Sequence, residues 1–192
     1  QIMAWLQAGA PASQATPVPA SDQQGIARWE AFLNQDSYKH QLVSRYLYEH
    51  LFIAHIYFED KQGDTRFYSL QRALTPPGEP FKPLATRRPF SSPFPEQDSN
   101  TNQRVYYRFM PVKNTIVSKL HMPIKLDEAR MEKWQGWFIE PEYEVSELPG
   151  YAPEVASNPF VAFAQIPVSS RYRFMIDEAQ YTIMQFIKGP VC

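Results

Sequence analysis

Cysteine is nearly absent from this sequence: of 192 residues only the last, Cys192, is one. A single thiol closes no internal disulfide, so cysteine usage does not report the redox compartment, and neither a CxxC zinc site nor a CxxCH haem-attachment motif occurs. Glycine is scarce, with 7 residues, and no P-loop, glycine-rich dinucleotide turn, nucleophile elbow or zincin helix is present. Charge bias is missing too. The 19 Lys and Arg stand against 20 Asp and Glu, which removes the bulk electrostatic argument for nucleic acid and leaves an anionic membrane to a local basic patch. No apolar run reaches the roughly 18 residues that span a bilayer, and no charged segment leads into the apolar core of an export signal.

What is present is apolar and aromatic. Hydrophobic residues make up 44% and aromatics 15% of the chain, enough for the core of one ordinary domain. The 18 prolines fall between periodic segments and predict long ordered loops. The opening QIMAWLQAGAP reads as an amphipathic helix with Ile2, Trp5 and Leu6 on one face, stopped by Gly9 and Pro11. Residues 1–11 are therefore expected to close a truncated upstream region, and 12–20 to be a Pro/Ala/Thr linker.

Ser21 and Gln24 form a capping-box pattern that predicts a helix to Leu33 with Ile26, Trp29 and Leu33 inward. A second helix is expected from about Ser37 to Phe58, through the dense run VSRYLYEHLFIAHIYF. EDKQGDTR predicts a polar turn at Gly63, RFYSLQRAL a strand, and the proline-rich stretch after it a long surface loop. RVYYRFMP alternates and predicts a strand; NTIVSKLHMP predicts another, stopped by Pro123. Asp127 caps a helix to Phe138 with Met131 and Trp134, and the 150–170 region is proline-punctuated with one helical turn. A last helix presents Phe174, Ile176, Ala179, Ile183, Phe186 and Ile187 before Gly189-Pro190. The fold class predicted is α+β, helix-rich with a small antiparallel sheet and long proline-rich loops.

The chemistry-bearing candidates are few. On one helix His50 and His55 would stand about 140° apart, so they could not share a metal ion as an i,i+3 or i,i+4 pair does. His40 is almost three turns from His50. No metal site is predicted, and the bland reading puts one histidine at the core rim and another in solvent. His50 and His55 remain the catalytic candidates. His121 and Met122 are residue types that ligate haem iron, and Glu49, Glu59 and Asp60 are carboxylates with no spacing that forces a pair. Arg87, Arg88, Arg104, Arg108, Arg171 and Arg173 lie among aromatics, and guanidinium groups suit phosphate or carboxylate; Arg87, Arg88, Arg171 and Arg173 are the head-group candidates. A solvated Arg packed beside Tyr is the simpler alternative.

The stretches LVSRYLYEHLFIAHIYF, ATRRPF, RVYYRF, KLHMPIKLDEARMEKW and PEVASNPFVAFAQIPVSSRYRFMIDEAQYTIMQFIKGPVC resemble the bacterial fatty acid cis/trans isomerases, from about Leu42 to Cys192. QIMAWLQAGAP is similar to the helix closing the cytochrome c-like region of that family. The resemblance implies that 21–192 is an isomerase-family segment of a periplasmic enzyme carrying covalent haem c. Such enzymes convert cis double bonds of membrane phospholipid acyl chains directly to trans, which tightens lipid packing under stress. It also implies that the CxxCH lies upstream of Gln1, that this segment alone is inactive, and that Cys192 has no assigned role. A non-catalytic lipid- or membrane-surface-binding module, or a structural support for a haem domain, is the alternative.

Overall fold

The computed structural model describes residues 2–7, 9, 17–59, 65–94, 104–117 and 121–187. Most of the linker, the Gly63 turn, the end of the proline-rich loop, Gly189-Pro190 and Cys192 lie outside the described residues. Helix α1 (Ile2–Gln7) stops where expected: Gly9 takes φ 80° and its N–H donates to the Leu6 carbonyl at 3.0 Å. Only glycine takes that conformation without cost.

Helix α2 (Ala20–Leu33) begins one residue before the expected cap. Pro19 occupies the N-cap with φ −58° and makes no side-chain cap bond, so Ser21 lies inside the helix rather than at its N-cap. Trp29 and Leu33 are buried and Ile26 is half-buried. The Trp29 indole N–H donates to the Leu126 carbonyl at 2.9 Å, which satisfies the one polar atom that so large a buried ring carries.

Helix α3 (Tyr38–Leu51) is capped by Ser37, whose hydroxyl accepts the His40 N–H at 3.2 Å. It ends seven residues before Phe58, which corrects the single long helix expected there. Phe52 and Ile53 turn outward, and the chain re-enters as strand β1 (His55–Tyr57). Ile56 and Phe58 are buried while His55 and Tyr57 are half-exposed. That is a period of two, hidden inside a continuous apolar run in which strand and helix look alike.

Strands β2 (Tyr68–Ala73) and β3 (Tyr106–Pro111) form where expected, with Tyr107 and Phe109 inward. The sheet order is β3-β2-β1-β4. The β3-β2 and β2-β1 pairs are antiparallel, whereas β4 (Pro123–Lys125) runs parallel to β1. The α+β class holds; the sheet is mixed rather than antiparallel. Residues 114–117 form no strand, and Pro123 starts β4 instead of stopping one. A proline is tolerated at the first strand position, where no donor is needed, and the Met122 carbonyl before it already accepts the His55 N–H at 2.9 Å.

Asp127 caps helix α4 (Glu128–Trp134), accepting the Arg130 N–H at 3.0 Å. The chain then widens into a π-helical turn, Gln135–Ile139, instead of continuing as α-helix to Phe138. Trp134 and Phe138 are both fully buried. Two short proline-started helices follow, α5 (Pro153–Ala156) and α6 (Pro159–Ala162), where one turn was expected.

Helix α7 (Val168–Ile187) packs through Phe174, whose ring meets Tyr46, Trp134 and Phe138. Of the expected inward face, Ile176 is 69% exposed and Ala179 is exposed as well. The acidic pair beside Phe174 lies on the same inward side. Glu178 meets the buried Arg130, and Asp177 meets Lys133 at 2.9 Å, and the stripe Val168, Tyr172, Met175 and Ile176 is left on the outside. Among the described residues no helix is long and apolar enough to cross a membrane.

Candidate functional site

The parallel pairing of β1 with β4 puts His55 opposite Pro123, and His121 stands two residues before that proline. The two imidazoles meet: Nδ1 of His55 lies 3.0 Å from Nδ1 of His121, and the rings are tilted by 37°. Phe67 packs edge-on against both, at 6.3 and 4.7 Å between centroids. At 3.0 Å one Nδ1 donates and the other accepts. Partial burial lowers the pKa of both histidines, and for His121 the His55 charge adds to it. The pair is thus a neutral, half-exposed proton-sharing unit. The helical arithmetic that separated His50 from His55 does not apply, because His55 is on a strand.

Met122 takes the other side of the same segment. It is buried and shares a cavity of about 280 Å³ with His50, Ile124, Phe174, Met175 and Ala179. His50, in the last turn of α3, packs its ring against Tyr46 at 4.3 Å and Phe174 at 5.2 Å, yet the residue as a whole is solvent-exposed. Its Nδ1 lies 2.7 Å from the Tyr46 carbonyl. A carbonyl only accepts, so Nδ1 carries the proton and Nε2 keeps a lone pair, free to act as base or metal donor. Burial holds His50 below the usual histidine pKa, partly opposed by the Tyr46 bond. The Tyr46 hydroxyl is pushed up to about 12 by burial.

The four candidate donors therefore sort into two sets, His55 with His121 and His50 with Met122. The second set offers the donor chemistry of axial haem ligands on one apolar cavity. Covalent attachment is another matter, since one cysteine makes no CxxCH. Among the described residues no group of three or more His, Cys, Asp or Glu side chains could hold a metal ion.

The arginine candidates stay apart. Arg87 and Arg88 are exposed, with Arg88 over the Phe90 ring at 5.7 Å. Arg173 is exposed, and Arg171 donates from Nε to the Ile166 carbonyl at 3.1 Å. No described contact joins the two pairs. Arg108 faces Glu30 at 3.4 Å, and Arg104 pairs with Asp36. The arginines that sequence reasoning passed over are the buried ones, Arg45, Arg72 and Arg130. Arg45 bonds Glu49 at 2.9 Å and lies 4.0 Å over the Tyr151 ring. Its i,i+4 spacing to Glu49 was the available signal.

No curated protein and no solved structure matches this chain. The family described as fatty acid cis/trans isomerase (CTI) matches residues 1–192, its whole length. The chain belongs to the fatty acid cis/trans isomerase family.

Proposed function

We propose that the chain acts as the acyl-chain-binding segment of a periplasmic, haem c-dependent enzyme that turns cis double bonds of membrane phospholipids to trans. Residues 21–192 would be the isomerase segment, working within a longer protein whose upstream region carries the haem. The whole-length family match supports the isomerase part of this reading. The cavity under α7 supports it: its wall of Met122, Ile124, Phe174, Met175 and Ala179 is apolar apart from His50 and Glu178, which suits a hydrocarbon chain.

The outer stripe of α7 continues into this cavity through Met175, which belongs to both. An acyl chain leaving a bilayer would find a continuous apolar path to His50 and Met122. The Tyr46 carbonyl orients the His50 ring with Nε2 unprotonated, and Met122 adds a soft thioether. Either side chain, His50 through Nε2 or Met122 through its sulfur, would offer one ligand to the iron of a haem held by another part of the protein. The chemistry that haem iron supplies when bound is withdrawal of electron density from the double bond, which eases rotation about it.

The test uses the full-length protein with vesicles of cis-monounsaturated phosphatidylglycerol. Gas chromatography of the acyl chains should show trans product, and the absorption spectrum should be that of a c-type haem. Absence of trans product, or of the haem spectrum in an active protein, overturns the corresponding half of the proposal. The exposed α7 stripe also favours a second reading, lipid binding without catalysis; vesicle flotation with no acyl conversion would select it.

A further inference from the structure

The facing nitrogens of His55 and His121 have a use beyond sharing a proton. Pairing of β1 with β4 fixes the two residues at the backbone: His55 stands opposite Pro123, and its N–H donates to the Met122 carbonyl at 2.9 Å. Phe67 lies edge-on against both rings, at 6.3 and 4.7 Å between centroids, and limits their rotation. Both imidazoles are half-exposed. Two nitrogen donors, Nδ1 of each ring, are thus held 3.0 Å apart within reach of solvent.

That distance decides what the pair can hold. Metal–imidazole bonds run about 2.0–2.1 Å, and two of them drawn to nitrogens so spaced meet at roughly 90–100°. This is the angle between neighbouring ligands of a tetragonal ion such as Cu²⁺ or Ni²⁺. Tetrahedral zinc would need a separation of about 3.3 Å, and the two axial positions of one haem iron about 4 Å, at the same bond length. The pair is therefore set for cis coordination and is distinct from His50 and Met122. No proton has to leave, because a neutral imidazole carries one N–H and keeps it on Nε2 when Nδ1 binds the ion. An N–H···N bond has the same length, and the test below separates the two.

The ion also has a way in. His55 lines an open groove of about 440 Å³ with Ser69, Gln71, Met110, Lys113 and Asn114. Lys113 is exposed, so water screens its charge. Among the described residues no third His, Cys, Asp or Glu joins the pair; water from the groove takes the remaining positions on the ion.

We propose that His55 and His121 bind a divalent transition-metal ion, Cu²⁺ before any other, as a cis pair through their Nδ1 atoms. The inference does not depend on the isomerase reading. It reverses the expectation of no metal site, which rested on placing His55 on a helix.

The test is copper binding by the full-length protein, purified without a histidine tag. Equilibrium dialysis should show one equivalent of Cu²⁺ more in the wild type than in His55→Asn or His121→Asn. His40→Asn, on α3 and outside the pair, should keep that equivalent. Pulsed EPR of the bound Cu²⁺ should count two equatorial imidazoles in the wild type and fewer in either pair variant. Competition should rank Cu²⁺ above Ni²⁺ and Zn²⁺. Circular dichroism checks that each variant folds, and the imidazole count in the wild type decides the matter even where one does not. Equal copper stoichiometry in the wild type and the folded pair variants, or fewer than two imidazoles on the wild-type ion, overturns the proposal.

Discussion

Nδ1 of His55 and Nδ1 of His121 stand 3.0 Å apart although 66 residues separate them in the chain. Both pKa values are lowered from 6.5 in the folded protein, chiefly by burial. The unfolded chain therefore binds protons more readily between pH 6.5 and the folded values. Stability from this pair is fully present above pH 6.5 and is lost as pH falls through that window. Glu30, Glu49 and Glu178, whose pKa values burial raises above 4.5, act in the opposite sense at lower pH. Chemical denaturation between pH 7 and 5 should show stability falling in the wild type and a flatter slope in His121→Asn. Nitrogen-15 spectra of the imidazoles should show His55 and His121 titrating below 6.5.

Gly25 on α2 has no room for a side chain. A Cβ there would lie 2.7 to 2.9 Å from the Cβ, Cγ and Cδ1 of Phe58, and Cβ and Cγ are the anchored part of that ring. In an open helix, Gly to Ala gains up to about 1 kcal/mol. Here the clash reverses the sign, and Gly25→Ala should cost about 1–3 kcal/mol in urea unfolding.

Phe174 fixes α7 to the rest of the chain. It is fully buried and touches the rings of Tyr46, His50, Trp134 and Phe138. Phe174→Ala should cost roughly 3–5 kcal/mol, read as a lower denaturant midpoint. The same variant should widen the cavity under α7 and alter acyl-chain binding.

Ile176 makes the contrasting case. Two positions further along the same helix it is 69% exposed, so Ile176→Glu should change stability by less than about 0.5 kcal/mol. If the α7 stripe meets lipid, that variant floats less with vesicles and converts less acyl chain. Unchanged flotation would show that the stripe is not the lipid-facing surface.

Glu30 is buried, accepts the Phe109 N–H at 2.8 Å and faces Arg108 at 3.4 Å. Glu30→Leu strands that N–H and should cost about 1–3 kcal/mol. Glu30→Gln keeps an acceptor for it and should cost less, as equilibrium unfolding of the two variants would show.

Local signals in the sequence determined a good deal. Gly9 ends α1, Asp127 caps α4, and the alternation of Tyr107 and Phe109 makes β3, because each acts within a few residues. The run from Val43 to Phe58 was not legible in that way: its apolar residues satisfy helix and strand alike, and only pairing with β2 and β4 makes 55–57 a strand. That one tertiary choice moved His55 off the helix and onto His121. The inward side of α7 is where Phe174 meets Tyr46 and Trp134 and where Glu178 and Asp177 meet Arg130 and Lys133, all distant in the chain. The family was readable from sequence because its resemblance lies in long contiguous stretches, which need no tertiary contact to be seen. The pairing of the histidines and the cavity under α7 were not. They arise from long-range packing, which brings together residues that no local period connects.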